Sequence, residues 1–419
     1  MKASKKSRSL VETSLLLALS LVPAACGKSS DSAPMVPTVE NDKEKLSERM
    51  NTEQSDVPFT PAAEGQSLGL ALGDSLTAIQ VAQITPPTVG AVAGVGGNKV
   101  QATDVAVNGL SVYVGYNTAG DTYNGAIDVI DATNVLSLQI LSQLNLPGED
   151  INGLDKFGGN LYAVGSSNVT EKGFIRKIAL NSNLLTTTTT DLPLTGFTGT
   201  GVVASASKIY ATSGDNAGLT TFDTATFTQS NTAAVHDARA VKLTAAGLPM
   251  VLGGQPGTIS TMTAAGALTS SFALSGNATP LSKSSLSVGP VWSVASLGEG
   301  GFTVFCNASG AVIAHVPAIT LPGIDPSRTV TNSVTSVGGL IYTTNGEAGV
   351  NVYTLRDVAS LATCGAGTVS LVGNLDLGAG FSPNGIYSNG LVLYVASGLG
   401  GLKVITTVFT TLSPLSSKL

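Results

Sequence analysis

The chain has 419 residues, with 21 Lys or Arg against 27 Asp or Glu, a net charge of −6, and only 11% charged residues overall. No Lys/Arg cluster follows the first eight residues, which excludes a nucleic-acid or polybasic lipid-binding role. Helix-forming runs of Ala, Leu, Glu and Lys at 3.6-residue spacing are also missing, so an all-helical body is excluded.

Lys2, Lys5, Lys6 and Arg8 precede the apolar run SLLLALSLV (residues 14–22), and Pro23-Ala24-Ala25-Cys26 follows it. This is the layout of a secretory signal peptide (residues 1–25), too short to be a lasting membrane span. The small residues before Cys26 resemble the bacterial lipobox, whose cysteine is diacylated and becomes the new N-terminus; the resemblance implies Cys26 as a lipid anchor. Pro23 stands where that pattern usually has Leu, and the alternative is ordinary cleavage after Ala25, leaving Cys26 a free thiol. By resemblance to lipoproteins of Gram-negative bacteria, Gly27 implies the outer membrane, facing periplasm or cell surface. Processing removes four basic residues and one acidic one, leaving a net charge near −9. No transmembrane segment remains in the processed sequence, which argues against a channel or transporter.

Residues 26–66 are rich in Ser, Pro, Asp and Glu and poor in large apolar side chains, a composition that cannot bury enough surface to fold by itself. A flexible tether is expected, with a root-mean-square reach of roughly 35 Å. Within it, NDKEKLSERM has the makings of a helical turn or two but no apolar face to hold one.

From residue 67 to 419, short Val/Ile/Leu/Tyr runs bounded by Gly, Asn and Asp predict an all-β body. Residues 100–134 read as strand, Asn108-Gly109 turn, strand with Tyr113, Gly-containing loop, and a third strand after Gly125. The same order returns around Tyr162, Tyr210, Met250, Trp292, Tyr342 and Tyr394, with spacings of 49, 48, 40, 42, 50 and 52 residues. Each anchor is followed within 7 to 12 residues by a Gly opening the next strand: Gly125, Gly173, Gly218, Gly257, Gly301, Gly349 and Gly401. A period of 40 to 50 with three strands per unit is the signature of a propeller blade. Runs such as LQILSQLNLP (residues 138–147) and VSLVGNLDL (residues 369–377) supply outer fourth strands, giving a seven-bladed β-propeller. Residues 76–87, ahead of the first unit, are expected to complete the last blade; the competing arrangement has residues 408–415 close it alone. A two-sheet sandwich would not need seven copies of one phrase.

GAIDVIDATN (residues 125–134) and GLKVITT (residues 401–407), with looser copies at GLTTFDTAT and GVNVYTL, resemble the LVIVD-repeat propellers of bacterial secreted proteins and lipoproteins. The resemblance spans roughly residues 100–407 and implies the fold. It assigns no catalytic positions, because the motif residues are structural.

Cys306 and Cys364 fall at or beyond the third strands of units five and six, which stack as neighbours; a disulfide between them fits an oxidising envelope compartment, and two isolated thiols are the alternative. His315 reads as a strand residue. His236, with Asp237 and Arg239, could supply a base, a carboxylate and an anion clamp, although alternation along a strand sends successive side chains to opposite faces. No Gly-x-Ser-x-Gly elbow or dinucleotide fingerprint stands in a fitting context. Asp104, Asn152, Asp237, Asn332 and Asn384 stand where loops enter innermost strands; such a ring of oxygens could bind a divalent cation or polar ligand at the channel mouth, or simply make turns. No other cofactor is implied.

The leading functional expectation is a monomeric, non-enzymatic binding or scaffold lipoprotein that engages another envelope protein or a surface polymer. It resembles in layout the propeller lipoprotein that helps assemble outer-membrane proteins. The alternatives are a hydrolase or lyase acting at the channel mouth, and an adhesin suggested by the Thr-rich residues 184–201.

Overall fold

A computed structural model describes residues 36–62, 75–90, 98–119, 122–168, 172–214, 217–279, 282–321, 323–356, 364–365 and 367–410. The signal segment and Cys26 lie outside them. Among the described residues, seven antiparallel sheets, each with four blade strands and three of them widened by strands from residues 36–62, make a seven-bladed β-propeller, beside a two-stranded ribbon of Thr88–Val89 and Asn98–Lys99. Blade one runs outward through Gln101–Asn108, Ser111–Asn117, Asn124–Asp131 and Gln139–Pro147. The innermost strands of blades two to seven are Glu149–Phe157, Gly201–Ala204, Ala238–Leu243, Leu286–Val288, Ser333–Val337 and Gly385–Ser388.

The repeated phrase has a packing cause. Each anchor sits on the second strand of its blade, and six of the seven are buried: Tyr113, Tyr162, Tyr210, Met250, Tyr342 and Tyr394. Alternation along a strand sends its side chains to both faces of the sheet. Thus Tyr113 packs with Ile151, Leu154 and Leu161 of blade two, whereas Val112 and Val114 pack with Tyr394 and Val404 of blade seven. Seven buried apolar clusters result among the described residues, one for each pair of neighbouring blades. The blade glycines serve close approach: a Cβ on Gly125 would stand 2.6 Å from the Glu149 carbonyl oxygen of blade two. Gly401 adopts a φ of +73°, which favours glycine, and a Cβ there would run into the Ile84 carbonyl.

The ring closes as the sequence led us to expect. Ser75–Ile84 pairs antiparallel with Leu402–Thr410, from Leu402 opposite Ile84 to Thr410 opposite Ser75, so the front of the chain supplies the fourth strand of the last blade. Val408 and Phe409 extend the third strand.

The expectation of a free tether reaching residue 66 is corrected. Residues 36–62 form a belt on the outer edges of three blades. Thr38–Glu40 pairs with the outer strand of blade one, Met50–Asn51 and Ser55–Asp56 pair with Ser75–Ile84, and Phe59–Pro61 pairs with the outer strand of blade six, Thr368–Leu375. The helical turn exists as Lys43–Ser47, capped by Asp42 and held by Leu46, which is only 2% exposed. A polar segment that cannot build a core can still satisfy its backbone on sheet edges already formed by others.

Candidate functional site

The inner strands carry a ring of side chains that hydrogen-bond from each blade to the next. Thr103 Oγ1 donates to the Ile151 carbonyl at 2.8 Å, Asn152 Nδ2 to the Gly199 carbonyl at 3.1 Å, and Thr200 Oγ1 to the Ala238 carbonyl at 2.7 Å. Arg239 donates to the carbonyls of Ser282 and Thr279, Asn332 Nδ2 to that of Pro383 at 3.3 Å, and Asn384 Nδ2 to that of Ala102 at 3.3 Å. Between blades five and six the equivalent bond comes from Ser296 Oγ to the Asn332 carbonyl. In blades one, two and four, strand register shifts across Thr103, Asn152 and Arg239 respectively. A bulge of this kind re-aims the extra side chain, here toward the neighbouring blade.

A second tier lies along the same strands. Asp104 Oδ2 accepts from the Leu154 amide at 2.8 Å, Asp155 Oδ2 from the Ala204 amide at 2.6 Å, and Ser285 Oγ from the Val334 amide at 2.8 Å. Burial pushes the Asp155 carboxyl above the usual carboxylate range.

Inside these tiers lies a channel cavity of about 760 Å³, lined by the inner strands of all seven blades. Asp104, Asn152, Asn332 and Asn384 line it. Asp237 does not. It lines a separate cleft of about 310 Å³ beside the start of blade four, where its carboxylate is paired with Arg239 at 2.6 and 2.9 Å. The five-membered oxygen ring is therefore corrected to four channel residues, with Asp237 held away by Arg239. Of the four, the three amides already bond protein atoms and one carboxylate remains in the donor set. Among the described residues, no group of three or more His, Cys, Asp or Glu side chains is placed to hold a metal ion.

Lys283 was missed by the sequence reading. From the segment entering blade five its Nζ donates to the Thr103 carbonyl of blade one, placing a cation in the channel. Burial pulls its ammonium below the ordinary lysine range, and the charge of Asp104 opposes that shift. Its one sequence signal is its place where the chain enters the innermost strand, as Asp104, Asn152, Asp237, Asn332 and Asn384 stand in five other blades. Ser284 beside it also lines the channel, and its buried hydroxyl has no partner.

His236, Asp237 and Arg239 do come together in the second cleft, with Phe197, Ser213 and Gln255. Asp237 has a φ of +46°, uncommon outside glycine. His236 is exposed, with Nδ1 2.8 Å from the Gln255 carbonyl oxygen. His315 sits on the outer strand of blade five, Nδ1 3.0 Å from Thr303 Oγ1, and burial lowers its pKa. Cys306, at the end of the third strand of blade five, is bridged to Cys364 in blade six, with Cα atoms 5.5 Å apart.

No family model matches the chain, and no curated sequence is similar to it. Solved structures share its fold. U3-55K is 12% identical over 74% of this chain and 96% of its own, with a TM-score of 0.55. Virginiamycin B lyase from Staphylococcus aureus is 12% identical over 80% of this chain and 99% of its own, at 0.53. The WD40 propeller domain of Doa1 is 12% identical over 77% of this chain and 96% of its own, at 0.50. What they have in common is the propeller. At such identities the likeness extends to the fold alone, which serves a lyase in one case and a WD40 domain in another.

Proposed function

We propose that this chain is a lipid-anchored envelope protein whose propeller binds a partner, another envelope protein or a surface polymer, rather than catalysing a reaction. The observation that carries this reading is the commitment of Thr103, Asp104, Asn152, Asn332 and Asn384, around the channel, to blade-to-blade bonds. Groups that would have to bind or turn over a substrate are holding the ring together. A rigid propeller presenting loops is a fold commonly used for protein interaction. The LVIVD-like units, the lipobox-like residues before Cys26 and Gly27 support placement on the bacterial outer membrane.

The belt alters how such an anchor would act. Residue 36 begins the propeller unit Val36–Leu419, ten positions after Cys26. Ten residues span at most about 35 Å even when fully extended, so the belt leaves a much shorter free segment than a tether reaching residue 66 would.

Metabolic labelling with palmitate, with membrane fractionation of wild type and Cys26→Ala, tests the anchor. Labelled protein in the outer membrane, with an unlabelled and soluble variant, is the expected result. An unlabelled wild type released to the medium overturns the anchored reading.

A further inference from the structure

We propose that the cleft between blades three and four is a binding site for one neutral, hydroxyl-bearing ring, of the size and polarity of a single sugar unit. Its volume of about 310 Å³ is at the small end for ligand pockets, which suits one ring.

Of the cleft's polar side chains that are not exposed, all but one are already engaged. Thr198 Oγ1 accepts from Asn152 Nδ2 and Ser166 Oγ, Thr200 Oγ1 donates to the Ala238 carbonyl, and Asp237 and Arg239 neutralise each other. Ser213 lines the cleft, is fully buried, and its hydroxyl has no hydrogen-bond partner. A buried hydroxyl without a partner calls for one, and a ligand hydroxyl meets that need.

Charge and polarity narrow the ligand class. Arg239 spends its guanidinium on Asp237 and on the carbonyls of Thr279 and Ser282, so it offers little to an anion, and Asp237 offers as little to a cation. Phe197, 67% exposed, gives the lining an apolar aromatic face, and the exposed His236 gives it a polar one. With the unmet hydrogen bond buried and the aromatic ring exposed, a polar-edged ring lying across Phe197 fits better than an aromatic peptide side chain, whose apolar end would have to meet Ser213. The site depends on neither the lipid anchor nor the envelope partner.

Saturation-transfer NMR on the full mature chain, with glucose, galactose, N-acetylglucosamine and their β-linked disaccharides as probes, tests it. A Phe-containing tetrapeptide serves as comparison. At least one sugar is expected to bind, with Ser213→Ala and Phe197→Ala each weakening it roughly tenfold, about the worth of one buried contact. His315→Ala, far out on blade five, should bind as wild type. Ser213→Ala removes a hydroxyl that has no partner, so its melting temperature should match wild type and any loss of binding is local. The proposal is overturned if no sugar binds, if binding survives both substitutions, or if only the peptide binds.

Discussion

Arg49 of the belt forms a bidentate ion pair with Asp128 of blade one, at 3.0 and 2.5 Å, and Tyr116 donates to the same carboxylate at 2.7 Å. Asp128 is completely buried, and it belongs to the third strand of blade one, within the most regular copy of the repeated phrase. Arg49 also donates through Nε to the Thr85 carbonyl at 3.0 Å, just past the strand that closes the ring. One side chain therefore ties the belt to both sides of the seam between blades seven and one. Removing it leaves a buried carboxylate without its cation. Arg49→Ala is expected to lose about 3–5 kcal/mol of unfolding free energy, whereas Arg49→Met combined with Asp128→Leu should recover most of it. Urea unfolding of the three proteins measures both.

The blade-to-blade ring makes a smaller prediction at the same seam. Asn384→Ala deletes the bond to the Ala102 carbonyl and one of the two acceptors of Asn332 Nδ2, the other being the Pro383 carbonyl. A loss of about 1–2 kcal/mol is expected. Hydrogen exchange should quicken first in blades seven and one, with blades three and four unaffected.

Asp150 gives the fold a pH dependence. Burial lifts its carboxyl to about 6, despite opposing bonds from the Thr118 and Asn124 amides. In the unfolded chain the value is about 3.9, so between these limits the folded state binds more protons. The charged form therefore costs stability above pH 6, and the cost is relieved as pH falls from about 7 toward 4. Asp150→Asn should be more stable than wild type at pH 7.5, by an amount on the order of 2 kcal/mol, and the difference should shrink steadily at lower pH. Denaturation midpoints across that range check the sign.

The disulfide joins positions 58 residues apart across blades five and six. Loop-closure entropy for that length sets a contribution of up to about 4 kcal/mol. Cys306→Ala with Cys364→Ala should lower the unfolding free energy by no more than this. Adding reductant to wild type should reproduce the double variant, as thermal unfolding with and without reductant would show.

The seven blades were legible because packing repeats them: an anchor such as Tyr113 on the second strand, buried in six blades and half-buried as Trp292 in the other, recurs with a glycine where Gly125 meets the next blade. The seam was legible because residues 76–87 had a strand pattern and no blade of their own. The belt was not. Its order comes from sheet edges supplied by other segments, and Arg49 finds Asp128 across 79 positions, which composition cannot register. The channel set was partly legible, and the error is one of register. In blade four the sequence reading put Asp237 on the channel, while a bulge turns Arg239 toward blade five and Asp237 lines the separate cleft. A shift of a residue in a strand reassigns the face, and nothing local in the sequence marks this bulge.

The propeller is proposed to hold a partner at the membrane. Cross-linking and affinity capture of the mature protein from its own membranes, read by mass spectrometry beside Cys26→Ala, test it most directly. A stoichiometric envelope component recovered with the anchored form alone, with cross-links on the propeller loops, is the predicted result. Capture of nothing, together with turnover of a substrate that depends on Asp104 or Lys283 in the channel, would contradict it.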